Sequence, residues 1–365
     1  MEQTKTNRIG YIDALRGLAM ILVVYFHIAA YGFGSYEFGY NNIIERFRMP
    51  TFFFISGWLF YKAVRPHRGT VPCVSSNADY IGTVPSVRSI IKHKFMVQII
   101  PTIVFMLLYL VMFNLLDVSS FGSDKKGYWY TFVLFEYFVL YILAEALFNR
   151  QDSTKGEMRV LAVMLTLSVG AFYYAKYYTH YSEELGIWKD ILGFLSFVKI
   201  RHIIFFWFGT FVRRHFDRFI HLTDNRYVMA IMIALFTAII IWPVLLSTEG
   251  IEYITYLAAG LSGTIICFTF FRIHERHFSQ ETWYGRGLQL IGRRTLDIYL
   301  IHYFVLPYDL VQPEVWLQYH NNTMFVPMAL ILALWVVVIS LLISCLLRVS
   351  SLLAKYLFGA KSSII

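Results

Sequence analysis

Residues 11–34 read YIDALRGLAMILVVYFHIAAYGFG, a run long and apolar enough to cross a bilayer, whose hydrocarbon core takes roughly 20 residues of helix. The same run carries Asp13, Arg16 and His27. Ionisable groups inside a span are costly and normally face a protein interior or a wet cavity, so their placement is the informative feature. Arg16 and His27 are eleven residues apart, which at about 100° and 1.5 Å per residue makes three turns plus about 20° and a rise of about 16 Å. Both therefore lie on one stripe of the helix. This layout suits a cation that grips a charged handle near one end of the span while an imidazole acts on a distant group. An interfacial Arg and a hydrogen-bonded core His would leave the same trace, so the rest of the chain has to decide.

Composition removes the soluble classes. Hydrophobic residues make up 58% of the chain and charged residues only 15%, with a mean hydropathy of +0.56, which points to a polytopic membrane protein. The polar start MEQTKTNR leads into a full-length apolar run with no small-residue cleavage pattern, so the first span reads as a retained helix and not a signal peptide. The scattered Cys73, Cys267 and Cys345 imply neither a disulfide framework nor a metal site.

The expected fold is all-α, a transmembrane helical bundle in a single domain over 1–365. Its ten spans fall at about 11–33, 49–64, 95–114, 128–148, 160–175, 200–212, 227–246, 251–271, 294–311 and 324–347. The pieces at 160–175 and 200–212 are short for a crossing, and 186–212 reads as a bent or re-entrant element. With the N-terminus inside, 23 of the 32 Lys and Arg fall in inner segments, eight fall in outer ones, and Arg16 lies in the membrane. That asymmetry follows the positive-inside rule, so both tails, about 1–10 and 349–365, are expected in the cytoplasm. The net charge of +9 needs no nucleic acid, since inner-loop cations facing anionic lipid account for it.

Depth then ranks the other candidates. The second span enters from outside as FRMPTFFFISGWLF, with Arg48 at the cavity mouth and Ser56-Gly57 near the middle, where small residues serve either close helix packing or a site. In the fourth span Glu136 lies about 12 Å down from the outer end, a height close to that of His27. A carboxylate bonded to an imidazole fixes its tautomer and stabilises the imidazolium. Glu136 is accordingly the expected orienting partner of His27, unless it faces other hydroxyls in the bundle. Asp13 is too far below for that role and is expected to pair with a basic group at the inner mouth. In the ninth span, GRRTLDIYLIHYFVL, Arg293 and Arg294 sit level with Arg16. His302 lies about 12 Å higher, as a cavity residue or as a structural one, and Tyr299 is within the same motif. Two helices that repeat a basic mouth and a deeper imidazole argue for one shared cavity.

Three of these pieces carry a resemblance: IDALRGLAMILVVYFH with Arg, ten residues, then His; FRMPTFFFISGWLF; and GRRTLDIYLIH. In them the chain resembles the acyltransferase-3 family, the multi-pass O-acyltransferases of bacterial surface glycans. The resemblance implies transfer of an acyl group, usually acetyl, from cytoplasmic acyl-CoA to a carbohydrate hydroxyl at the outer side of the inner membrane. Arg16 and His27 match the family's essential pair, and Arg48, Ser56 and His302 fall in its other recurrent motifs. Some members carry an added soluble domain. Here acceptor recognition is expected from the outer loops of the chain or from a partner.

The chemistry fits the layout. Acyl transfer to a sugar hydroxyl needs a base and donors for the oxyanion. His27 is the expected base, and Arg16, helped by Arg293 or Arg294, the expected grip on the donor phosphates. A covalent acyl-histidine route stays open. No metal or further cofactor is implied. Outer segments hold Tyr31, Tyr36, Tyr40, Tyr128, Trp188, Trp316, Asn41, Asn42, Asn321 and Asn322, which suit sugar contacts, although Tyr and Trp also gather at any membrane interface. The competing class is a glycan or lipid transporter or flippase with Arg16, Glu136 and His27 as a proton or substrate path. Internal repeats would favour it, and none is visible. A hydrolase is weaker still, because Ser56 sits in no nucleophile elbow.

Overall fold

In lipid every backbone polar group has to be satisfied internally, and long apolar runs answer with helix. The structure, a computed structural model, describes residues 9–34, 41–64, 87–115, 125–149, 153–181, 186–242, 248, 250–310 and 325–359, and all regular structure among them is helical. Of the expected sugar-side residues, Tyr36, Tyr40, Trp316, Asn321 and Asn322 lie outside the described residues, as does Cys73.

The helices in chain order are α1 (Gly10–His27, continued by a π turn, Ile28–Gly32), α2 (Asn41–Val64), α3 (Val87–Met112), α4 (Trp129–Phe148) and α5 (Thr154–Tyr181). Next come α6 (Ile187–Phe194), α7 (Ile203–Arg214), α8 (Phe216–Thr223), α9 (Arg226–Ile241) and α10 (Glu252–Ile273). The last four are α11 (Trp283–Arg293), α12 (Thr295–Val305), α13 (Phe325–Val349) and α14 (Ser351–Phe358).

Six of them are long and apolar enough to cross a membrane: α1 with its π turn, α3, α4, α5, α10 and α13. Two bent pairs, α6 with α7 and α8 with α9, raise the number to eight if each pair is one span. The expected ten is not reached among the described residues, for two physical reasons. Glu45, Arg46, Arg48 and Lys62 keep the average hydropathy of α2 low, and α12 is a helix of only 11 residues. The piece expected at 160–175 is not short, since a spanning helix covers Thr154–Tyr177. The region 186–212 is bent as expected, by 48° between Ile187–Phe194 and Phe197–Arg214. Ser196 at the break takes a left-handed backbone, φ 50°, and the buried Lys125 ammonium donates to the Phe194 carbonyl and the Ser196 hydroxyl. A cation thus satisfies the carbonyl that the break leaves exposed.

The chain divides into two compact units, Met1–Phe52 with Thr223–Ile365, and Phe53–Leu222. In the second, α2 and α7 meet backbone to backbone. A Cβ at Gly57 would run into the Phe206 carbonyl, and one at Gly209 into that of Phe54. This is the packing role that Ser56-Gly57 offered in the sequence, and small residues are what let helices approach so closely. Phe60 stacks on Phe138 beside this crossing, with centroids 4.4 Å apart.

In the first unit α1 is the centre, packed against α10, α11, α12 and α13. Its tightest neighbour is α11. A Cβ at Gly17 would meet the Leu288 carbonyl, and one at Gly292 that of Asp13. The interlocked glycines bring the C-terminal end of α11, with Arg293 and Arg294, to the level of Asp13 and Arg16. That is the height match expected from counting residues along the two spans.

Candidate active site

Helix α1 runs without a break from Gly10 to His27, so the helical count from Arg16 to His27 holds. Directly after His27 the backbone changes to the π turn Ile28–Gly32, a rare wide turn that often marks functional positions. It is held in place by the segment that follows α12. The N–H of Asp309 donates to the Tyr31 carbonyl at 3.0 Å and that of Leu310 to the Gly32 carbonyl at 2.8 Å. The Pro307 carbonyl lies so close to Gly32 that a Cβ there would sit 3.0 Å away. The end of α12 is thereby tied to the end of α1.

Between these tethered ends His27 and His302 meet. Nδ1 of His27 lies 2.9 Å from Nε2 of His302, and the two ring planes differ by 10°. His302 is completely buried, while His27 keeps part of its surface open. Nδ1 of His302 lies 3.0 Å and 2.8 Å from the carbonyl oxygens of Ile298 and Tyr299 on its own helix. The Tyr303 hydroxyl stands 3.5 Å from Nε2 of His27, at the outer limit of a hydrogen bond. Tyr31 packs edge-on against His27 at 5.9 Å, and Tyr308 against Tyr31 at 5.8 Å.

Arg48 is also in this unit. Its guanidinium carbon sits 3.7 Å above the ring of Phe26, the residue before His27, and its side chain is buried. A desolvated guanidinium held on an aromatic face is a substantial interaction, and it places a fixed positive charge beside the histidine pair.

The expected site residues thus divide. Brought together in the first unit are His27, His302 and Arg48, with Asp13, Arg16, Arg293 and Arg294 nearer the N-terminal end of α1. Arg16 and Asp13 are half-buried, Arg293 is exposed, and Tyr299 contributes its carbonyl to His302. Nδ1 of His27 is held by His302, a residue the sequence placed in the cavity without giving it an orienting role. Glu136 belongs to the second unit, where its Oε2 is buried with no hydrogen-bond partner among the described residues. Ser56 is there too, its hydroxyl 2.9 Å from that of Tyr130.

Two groups escaped the sequence reading. Tyr303, beside His302, looked like one more aromatic in an apolar run. Arg348, read only as an inner-loop cation, binds Asp297 through both carboxylate oxygens, Nε to Oδ2 at 2.8 Å and Nη2 to Oδ1 at 2.9 Å. Ser344 adds a third donor at 2.6 Å, and Nη1 of Arg294 lies 3.4 Å away. This buried carboxylate fixes the start of α12 to α13. Among the described residues no cluster of His, Cys, Asp and Glu is arranged to hold a metal ion.

A partly open imidazole, tied at one nitrogen and flanked by a fixed guanidinium, can take up a proton next to developing negative charge. Compared with known protein families, residues 9–345 match the one described as "Acyltransferase domain". No curated protein matches the chain, and no solved structure does.

Proposed function

Since the chain belongs to the acyltransferase-3 family and is a membrane acyltransferase, we propose that it moves an acyl group, acetyl above all, from acyl-CoA to a hydroxyl of an extracytoplasmic or lipid-linked glycan. The observation that carries this reading is His27. Its ring is open on one side and bonded to His302 on the other, about 16 Å above Arg16 on one unbroken helix. Coenzyme A is a polyanionic head on a long arm, and that spacing suits a head at Arg16 and a thioester at His27.

In the reaction Nε2 of His27 removes the acceptor's hydroxyl proton. The oxygen attacks the thioester carbonyl, and the Arg48 charge stabilises the tetrahedral oxyanion. The C–S bond then breaks, and the thiolate takes the proton back from His27, giving ester and free thiol. Arg16, with Arg293 and Arg294 brought to its level, holds the phosphates, for which planar guanidinium groups are well suited. Tyr31, Tyr303 and Tyr308 line the acceptor side of His27. We place Arg16 at the cytoplasmic mouth of an inner-membrane protein with both termini inside, in line with the Lys and Arg asymmetry of its segments.

The test is incubation of the purified protein in lipid with radiolabelled acetyl-CoA and extracted envelope glycan. Free thiol should appear together with label in the glycan fraction. An untouched thioester, with glycan moved across the bilayer instead, would overturn the proposal in favour of a transporter.

A further inference from the structure

Whether His27 can act as a base depends on which of its nitrogens carries the hydrogen, and the bonds around His302 decide this. Nδ1 of His302 faces two backbone carbonyls, at 3.0 Å and 2.8 Å. Carbonyl oxygens only accept, so this nitrogen must hold a hydrogen. The ring is completely buried and bonds to no carboxylate among the described residues, so a charge on it would be uncompensated and the neutral form is the one that fits. In neutral His302 the other nitrogen, Nε2, is a bare acceptor. What faces it at 2.9 Å is Nδ1 of His27, which must therefore donate. His27 then carries its hydrogen on Nδ1 and a lone pair on Nε2.

The ring geometry agrees. Two stacked rings could not bring nitrogens to 2.9 Å, which is shorter than a stacking distance. Planes within 10° and centroids 5.1 Å apart instead describe rings edge to edge, separated by the N–H···N bond plus one ring radius at each end. The in-plane lone pair on Nε2 of His302 then points along the bond to the N–H of His27.

Resting on the reading of His27 as the base, we infer that His302 is the positioning residue of the transfer. It forms the middle of a relay that runs from the Ile298 and Tyr299 carbonyls through His302 to His27 and presents the Nε2 lone pair to the acceptor hydroxyl. The third member of a Ser-His-Asp triad serves this purpose with a carboxylate. Here two carbonyl dipoles and a second imidazole take its place. When Nε2 gains the acceptor's proton, the positive charge on His27 is met by the Nε2 lone pair of His302. His302 keeps its own hydrogen throughout, and the gained proton leaves from Nε2 of His27 to the departing thiolate. Tyr303, 3.5 Å from that same nitrogen, holds the position until the acceptor hydroxyl displaces it.

Two substitutions separate orientation from bulk structure. The amide oxygen of His302→Gln can still accept from Nδ1 of His27, whereas His302→Phe fills the space and accepts nothing. The readouts are acyl transfer, donor binding, thermal unfolding and the 15N spectrum of histidine-labelled protein, with His27 assigned by its loss in His27→Ala. The parent should show a bare Nε2 on His27. His302→Phe should lose that fixed tautomer and about 10²-fold or more of transfer, while His302→Gln should keep both to within about tenfold. A hydrogen on Nε2 in the parent, or equally deep losses in both variants, would overturn the assignment. So would parental transfer in a folded His302→Phe alongside an inactive His27→Ala, an outcome that leaves the base reading standing. Full transfer by His27→Ala would remove the base itself. If His302→Phe does not fold, the parent spectrum and His302→Gln decide.

Discussion

Replacing Asp297 with Ala removes the acceptor of three short bonds at once, and of a longer one from Arg294. Its carboxylate, 3% exposed, takes two guanidinium N–H groups of Arg348 and the hydroxyl of Ser344. Breaking a buried ion pair from one side costs about 3–5 kcal/mol when the orphaned charge stays buried. The Arg348 side chain is 21% exposed and reaches the end of α13, so it regains part of its solvation. The expected cost of Asp297→Ala is therefore about 2–3 kcal/mol. A double-mutant cycle isolates the pair. In an Arg348→Met background, which keeps an apolar stem near the Phe358 ring that Arg348 covers at 4.5 Å, the same Asp297→Ala change should cost less than about 1 kcal/mol. The assay is reversible denaturation in mixed micelles, with both single variants and the double variant measured side by side. Strictly additive costs, or an Asp297→Ala protein as stable as the parent, would refute the claim that this carboxylate moors α12 to α13.

Other outcomes follow from the packing and the proposed orientation. Gly17→Leu places a side chain where the Leu288 carbonyl already stands, so it should separate α1 from α11 and lower stability by more than the about 1–3 kcal/mol of ordinary overpacking. Thermal unfolding checks this, with exposed Gly34→Ala as the mild comparison, strained only by its positive φ. Arg16→Lys keeps the charge but loses the planar fork, so acyl-CoA should bind about tenfold more weakly by calorimetry while expression and melting stay near parental values. A reporter fused after Ala146 should report a cytoplasmic location and one after Gly186 an external one. A cytoplasmic signal from the second would invert the assignment of every later segment.

The sequence made the costly residues legible, because a bilayer penalises charge wherever it sits. Asp13, Arg16, His27, Arg48, Glu136 and His302 all stood out against apolar surroundings before any coordinates. Heights were legible too, since a continuous helix turns residue counts into distance. What counting could not supply was azimuth between helices. Residue counts put His302 in the cavity, and only packing shows that it holds Nδ1 of His27 from α12. The π turn after His27 left no mark either, since IAAYG reads as ordinary helix, and the turn owes its shape to the bonds from Asp309 and Leu310. The shortness of α12 was legible but missed. TLDIYLIHYFV runs into LPY, and the span expected to 311 ran past the stop signal of Pro307, before which Leu306 is already extended.

The central claim is that Nε2 of His27 takes the acceptor's proton. The most direct measurement is single-turnover acyl transfer by His27→Ala in lipid, read beside acyl-CoA binding and thermal unfolding of the same preparation. The account predicts parental folding and donor binding with transfer reduced by about 10²–10⁴-fold. Parental transfer from a folded His27→Ala protein would contradict it.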